Sequence, residues 1–152
     1  MERIKSFQIN HNSLEPGFYI SREDGTIITY DLRTRKPNMG AYMDNATMHS
    51  FEHMFATYAR NSTISEHVIY FGPMGCQTGF YFLVESIEPT VVFEKTKEIL
   101  SQIVDYEGPV FGASAIECGN YANLSLELAK EEAKHYLEVL NAWENMEFTY
   151  PE

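Results

Sequence analysis

The spacing of hydrophobic residues alternates between two periods along this chain. Residues 26–33 alternate hydrophobic and polar side chains, which is the two-residue period of a half-buried β-strand. Residues 79–86 alternate in the same way, and residues 67–71 and 109–116 are weaker strand candidates. The sequence therefore predicts a sheet built from short strands.

Three other segments have the hydrophobic spacing of amphipathic helices. The first begins at a cap provided by Asp44 or Asn45, the second at Thr90 and the third at about Ser125. Helices and strands do not follow a regular βαβ order, so we expect an α+β fold with helices packed on a mostly antiparallel sheet. The length of 152 residues and the absence of a linker predict a single domain over residues 1–152.

The charge of the chain disfavours two classes of partner. The net charge of −11 repels phosphate groups, and no cluster of Lys and Arg offsets it, so we expect neither a nucleic-acid nor a membrane partner. The longest apolar run is Phe80–Val84, and we expect no signal peptide or membrane span. We therefore expect a cytoplasmic protein whose Cys76 and Cys118 are reduced, which favours a metal-binding or catalytic role over a disulfide.

The run His49-Ser50-Phe51-Glu52-His53 lies inside the first predicted helix. Residues four apart lie about 40° apart around a helix of 3.6 residues per turn, so both imidazoles can bind one ion. Glu52 borders the same face, where a carboxylate can move protons beside a metal-bound oxygen. The alternative is that two unrelated histidines lie on a partly buried face.

A catalytic metal site usually has three protein ligands and one open position. Cys118, just before the third helix, is a candidate for the third ligand, although a lone cysteine is more often a small buried hydrophobic residue. Cys76 lies in the turn-rich run Gly72–Gly79 between two strand candidates. Such loops often carry function, but a hairpin turn that happens to contain a thiol would look the same.

Three motifs in a fixed order resemble a known family. The runs His49–His53, Pro73–Gly79 and Glu117–Gly119 closely resemble the S-ribosylhomocysteine lyases, which make the precursor of autoinducer-2. The resemblance extends from about residue 5 to beyond residue 135, with further matches at Ser6-Phe7, His11-Asn12, Asp31-Leu32-Arg33 and Pro37-Asn38.

The chain departs from this family in two places. Gly72 stands where the family more often has Ser, and residues 61–69 form a shorter segment than usual. Both departures could alter the shape of a pocket, but neither affects a residue with an implied role.

The resemblance implies a role for each of eight residues. The metal ligands would be His49, His53 and Cys118, the acid/base pair Cys76 and Glu52, and the substrate contacts Ser6, His11 and Arg33. It also implies a homodimer with its active sites at the subunit interface. Each subunit would hold one divalent ion, natively Fe(II), which Zn or Co can replace.

The reaction of this family explains why such residues are needed. A thioether leaves readily only from a carbon β to a carbonyl, so the sugar carbonyl must migrate from carbon 1 to carbon 3 before homocysteine departs. Each migration removes and returns a proton, which requires acid/base groups and a Lewis acid that stabilises negative oxygens. The products would be homocysteine and 4,5-dihydroxy-2,3-pentanedione.

Two other functions are compatible with parts of the pattern. The order His-x-x-Glu-His also occurs in inverted zinc metallopeptidases, in which Glu127 or Glu131 would complete the metal site. Such an enzyme would leave the Cys76 loop without a role. A metal-storing or metal-sensing module without catalysis is the third possibility.

Overall fold

The computed structural model describes residues 1–152, and its elements confirm the expected α+β fold. Four antiparallel strands form one sheet in the order β1-β2-β4-β3, and three helices pack with it. The elements are β1 (Gly17–Asp24), β2 (Ile27–Arg33), α1 (Asn45–Arg60), β3 (Val68–Pro73), β4 (Gly79–Glu85), α2 (Pro89–Asp105) and α3 (Leu126–Asn141).

Three of the four strand predictions are confirmed, and the fourth is wrong. Residues 109–116 form turns and irregular loop instead of a strand. In this segment the carbonyl oxygen of Phe111 accepts a hydrogen bond from the His53 side chain, 2.8 Å away, so that it bonds to a side chain of α1 and not to a neighbouring strand.

Strand β1 was not recognised in the sequence. Its pairing with β2 shifts register between Ile20 and Arg22, which marks a β-bulge or similar irregularity. A bulge inserts an extra residue and interrupts the two-residue alternation by which a strand is recognised.

Two of the three helix starts are confirmed. The carboxylate of Asp44 accepts a hydrogen bond from the Thr47 amide at 2.8 Å, and Ser125 caps α3 through the Leu128 amide. A cap of this kind contributes about 1 kcal/mol. Thr90 is not a cap, because α2 already begins at Pro89, whose fixed φ and missing N–H suit the first helical position.

Stacked aromatic rings fix α1 against the sheet. The rings of Phe51 and Phe80 have centroids 4.6 Å apart, and those of Phe55 and Phe71 are 4.3 Å apart. Aromatic pairs contribute about 0.5–1.5 kcal/mol each beyond the area they bury. Because α1 is held in this way, the face that carries His49 and His53 has a fixed position relative to β3 and β4.

The polar side of β2 is buried, although a half-buried strand was predicted. Thr29, Asp31 and Arg33 are 9 %, 0 % and 2 % exposed, and the C-terminal Tyr150 donates a hydrogen bond to Asp31. Because the end of the chain covers this side, charged residues on it must find partners inside the protein. None of the helices is both long and apolar enough to span a bilayer.

Candidate active site

Helix α1 presents His49 and His53 as a pair with ring centroids 4.6 Å apart. The Nδ1 atom of His49 lies 2.6 Å from Oδ1 of Asn123, and Nδ1 of His53 lies 2.8 Å from the carbonyl oxygen of Phe111. A carbonyl oxygen only accepts hydrogen bonds, so both rings carry their proton on Nδ1. In the neutral form of each ring, Nε2 then keeps the lone pair that a metal ion requires.

Cys118 completes this group from an irregular loop. Its Sγ atom lies 3.3 Å from Nε2 of His49, and the backbone N–H of Asn120 points at the sulfur from 3.4 Å. The ligand atoms of His49, His53 and Cys118 all lie within 4.8 Å of one another. Ligands at about 2.0–2.3 Å from a tetrahedral ion lie roughly 3.3–3.6 Å apart, so these residues fit one divalent ion after small side-chain movements.

Gly112 allows the loop to approach α1 closely. Its φ of +72° lies in the left-handed region, and a Cβ at this position would lie 3.1 Å from Nδ1 of His53. A larger residue would be strained and would press on the histidine. Gly112 therefore supports the contact between the Phe111 carbonyl and His53.

Glu52 lies between the two histidines in sequence and is half-buried. Burial raises the pKa of its carboxyl group, and the nearby His53 and His49 partly offset this effect. A carboxyl group with a raised pKa both donates and accepts protons more readily near neutral pH. We refer to His49, Glu52, His53 and Cys118 as the metal group.

Cys76 lies at the tip of the hairpin between β3 and β4, and its side chain is exposed. Gln77 next to it has a φ of +66°, which closes the turn. The Gln77 side chain donates to the Met43 carbonyl at 2.9 Å, and the Met43 amide donates to the Gln77 carbonyl at 3.0 Å. These bonds attach the hairpin to the residue just before the Asp44 cap of α1.

A buried arginine lies beneath the thiol. The NH1 group of Arg33 donates to Oγ1 of Thr78 at 2.8 Å and lies 3.7 Å from Sγ of Cys76. Its NH2 group donates to Oδ2 of Asp31 at 2.6 Å. Arg33 is thus not a solvated residue on a strand face, and a cation beside a thiol stabilises the thiolate form.

Besides Arg33, the structure brings a second expected substrate contact, His11, to Cys76. His11 and Cys76 line the same cavity of about 250 Å³, together with Asn38 and Tyr42. Ser6 instead lines a different cavity of about 390 Å³. We refer to His11, Arg33, Cys76 and Thr78 as the thiol group.

The metal group and the thiol group are separate within one chain. No hydrogen bond or ion pair joins a residue of one group to a residue of the other. One group could hold a metal ion, and the other presents an exposed thiol.

Comparison with known proteins agrees with the order of the motifs. The family model described as S-Ribosylhomocysteinase (LuxS) matches residues 4–147. The chain belongs to this family. The S-ribosylhomocysteine lyase of Finegoldia magna is 43 % identical to it over the whole of both chains. That of Borrelia garinii subsp. bavariensis is 40 % identical over 99 % of this chain and all of the relative, and that of Clostridium acetobutylicum is 39 % identical over the whole of both.

Membership of the LuxS family disfavours the metallopeptidase alternative, and so does the geometry. The group that could hold a metal consists of His49, His53 and Cys118, and it includes neither Glu127 nor Glu131. A metal site of this composition uses a thiolate in place of the glutamate that a peptidase would require.

Several residues of the site were not identified from the sequence. Thr78 lies in the hairpin motif but was not singled out, and Asn123 carries no motif that would reveal its contact with His49. A Cβ at Gly72 would lie 2.1 Å from the hydroxyl oxygen of Tyr70, the far end of an exposed side chain, so a larger residue at position 72 requires the Tyr70 ring to move. The ring of Tyr70 occupies the space of a side chain at position 72 and lines the cavity that contains Ser6.

Proposed function

We propose that this chain is a lyase that cleaves S-ribosylhomocysteine to homocysteine and 4,5-dihydroxy-2,3-pentanedione, the precursor of autoinducer-2. The observation that carries the proposal is the occurrence, in one LuxS-family chain, of a His₂Cys group and an exposed thiol above a buried arginine. Carbonyl migration followed by β-elimination needs a Lewis acid and a base, and these two groups can supply them.

The metal group is proposed to hold one divalent ion in each chain, with His49, His53 and Cys118 as its ligands. Thiolate and imidazole are borderline donors that suit Fe(II), Co(II) and Zn(II) better than Mg or Ca. Fe(II) is the ion that the family resemblance favours. When bound, the ion supplies a Lewis acid for the oxygens of the sugar.

Cys76 and Glu52 are proposed as the two acid/base groups. Cys76 as thiolate, stabilised by Arg33, would remove the proton from carbon 2 of the sugar and return it at carbon 1. Glu52 would act in the second migration and in the elimination. There a proton leaves carbon 4, the bond between carbon 5 and sulfur breaks, and the sulfur of homocysteine takes up a proton.

Ser6 and His11 are proposed as substrate contacts because both line open cavities near the same sheet. For Arg33 we propose support of the thiol more than direct binding of the substrate carboxylate. Its side chain is 2 % exposed, and both ends of its guanidinium group already have partners in Asp31 and Thr78.

A homodimer is proposed to bring the two groups together. The groups have no bonded connection within one chain, and the family resemblance implies active sites at a subunit interface. In this arrangement the metal group of one subunit would face the thiol group of its partner. We further propose that the whole chain forms one catalytic domain that works in the cytoplasm, where both cysteines stay reduced.

The direct test is to incubate the chain, loaded anaerobically with Fe(II), with S-ribosylhomocysteine and to measure free thiol. Release of one thiol per substrate is expected. Folded, metal-loaded chain that releases none would contradict the proposal and would leave a metal-storing or metal-sensing module.

A mixing experiment tests the shared site. Cys76→Ala and Cys118→Ala chains, each inactive alone, are unfolded together and refolded as a mixture. If each site combines residues of two subunits, mixed dimers contain one intact site, and about a quarter of the wild-type activity should return. A mixture that stays inactive while dimers form would place both groups of each site in one subunit.

A further inference from the structure

We propose that Tyr150, near the C-terminal end of the chain, is a positioning residue for the thiol of Cys76. Its hydroxyl group binds Asp31, Asp31 binds Arg33, and Arg33 lies against the sulfur. The inference rests on the proposed role of Cys76 as an acid/base catalyst.

The first link is the bond between Tyr150 and Asp31. The tyrosine hydroxyl donates to Oδ2 of Asp31 at 2.7 Å, and the aspartate is completely buried. The other carboxylate oxygen, Oδ1, has no hydrogen-bond partner. Tyr150 is therefore one of only two side chains that stabilise this buried charge by hydrogen bonding.

The second link is the ion pair between Asp31 and Arg33. The same Oδ2 atom accepts from NH2 of Arg33 at 2.6 Å, while NH1 of the guanidinium binds Thr78 and faces Cys76. The Nε atom of Arg33 has no partner. The position of the guanidinium thus depends on a balance between Asp31 on one side and Thr78 with Cys76 on the other.

The C-terminal segment is docked firmly enough to hold its tyrosine in place. The Ile20 amide donates to the Phe148 carbonyl at 2.7 Å, and the Phe148 ring lies in the core against Phe18. The Tyr150 ring stacks on Tyr19 with centroids 4.9 Å apart. Burial, followed by the charge of Asp31, raises the pKa of Tyr150, so its hydroxyl remains a donor at neutral pH.

Removal of the Tyr150 hydroxyl should change the position of the Arg33 guanidinium between Asp31 on one side and Thr78 with Cys76 on the other. Asp31 would keep only Arg33 as a hydrogen-bond donor, and an undersolvated buried carboxylate attracts its remaining cation more strongly. The guanidinium would then shift toward Asp31 and away from Cys76. The sulfur of Cys76 would lie farther from its neighbouring cation and would react more slowly, while the metal group would be unaffected.

The test compares Tyr150→Phe with Tyr19→Phe in the full-length, metal-loaded protein. Tyr19 is the matched control because its hydroxyl donates to the Glu15 carbonyl at 2.7 Å in the same aromatic cluster but does not bind Asp31. The rate at which iodoacetamide alkylates Cys76 is followed by peptide mass spectrometry, which separates Cys76 from Cys118. Turnover, Michaelis constant, bound metal and melting temperature are measured on the same samples.

Tyr150→Phe is expected to slow alkylation of Cys76 and to lower kcat by about 3- to 10-fold, the size of a typical net hydrogen-bond contribution, because the hydroxyl acts on the thiol only through Asp31 and Arg33. The Michaelis constant and the metal content of Tyr150→Phe should equal those of the wild type. In Tyr19→Phe, iodoacetamide should alkylate Cys76 at the wild-type rate. Equal alkylation rates in Tyr150→Phe and wild type would overturn the proposal. So would an equal loss in both variants, because it would show a purely structural role. If the wild type releases no homocysteine, the lyase assignment fails, but the alkylation rates still decide the role of Tyr150.

Discussion

The metal group and the thiol group are assembled in different ways. His49, Glu52 and His53 lie within about one turn of a single helix, and one loop adds Cys118. In the thiol group, Arg33 comes from β2 and Cys76 comes from a hairpin. The residues that support Arg33 are Asp31 of β2 and Tyr150, which lies 119 positions after Asp31. Helical periodicity makes the first group visible in a short sequence window, whereas the second exists only after the sheet and the C-terminal segment have packed.

The two groups also differ in the charges they bury. The side chains of the metal group are partly exposed, and both histidine rings are held by hydrogen bonds through Nδ1. The thiol is exposed, but it rests on the buried ion pair of Asp31 and Arg33. Damage to the metal group should therefore affect ligand binding, and damage to the thiol group should affect stability as well as chemistry.

The largest effect is expected for Cys118→Ala. Without the thiolate the two histidines alone form a weak site, so the variant should lose most bound metal and with it the activity. Glu127→Ala is the control and should retain the metal. Metal content measured after anaerobic reconstitution and desalting gives the answer, and loss of metal in Glu127→Ala with retention in Cys118→Ala would favour a peptidase-like site.

Cys76→Ala should keep its metal and its fold yet lose turnover. Acid/base catalysis contributes about 10²- to 10⁴-fold, and a loss of this size in thiol release is expected. Cys76→Asp, which retains a charged base, should keep a trace of activity. Near-normal homocysteine release by Cys76→Ala would remove this residue from the mechanism and leave Glu52 as the base.

Asp31→Asn tests the claim that the buried ion pair beneath the thiol also supports stability. The change leaves Arg33 as an uncompensated buried charge, which costs about 3–5 kcal/mol of unfolding free energy. Asp24→Asn removes the partner of Arg22 in an exposed pair and should have little effect. Urea denaturation of both variants measures the difference, and similar midpoints would show that the buried pair is not needed for stability.

The smallest effect is expected for Asn123→Ala. Loss of the bond to Nδ1 of His49 should weaken metal binding by about 10- to 100-fold without unfolding the protein. Asn61→Ala, at the other end of α1, removes a side-chain bond to the Thr57 carbonyl and should not change metal affinity. Competition for the metal with a chromophoric chelator measures the dissociation constant of each variant and can resolve a difference of about 10- to 100-fold.

Local patterns predicted a large part of the fold and of the metal group. Asp44 or Asn45 was predicted to cap the first helix and the third was predicted to start at about Ser125, because capping depends on neighbouring residues. The spacing of His49 and His53 predicted their shared face. The α+β class was predicted from the order of segments with strand and helix periodicity along the chain. The family was predicted from three motifs that occur in a fixed order.

The remaining features depend on contacts between distant parts of the chain. The burial of Arg33 results from the C-terminal segment and from Thr78, and neither influence is visible in residues 26–33. Residues 109–116 looked like a strand because hydrophobic residues occur there, but Phe111 packs beside Tyr58 and its carbonyl binds a histidine. Long-range packing therefore overrode the local pattern.

The loop that carries Cys118 illustrates how an irregular segment can be ordered at low entropic cost. Between α2 and α3 the chain is anchored to α1 through the contacts of His53 with Phe111, of His49 with Cys118 and Asn123, and of Ser50 with the Ser125 amide. These contacts divide the segment into several short loops, each closed at both ends by a contact with α1. The closure entropy grows only with the logarithm of loop length, so a remaining anchor that must close a loop of twice the length does so at an extra cost of only about 0.6 kcal/mol. A defect at one anchor should therefore stay local, and the other anchors should keep the loop on the helix.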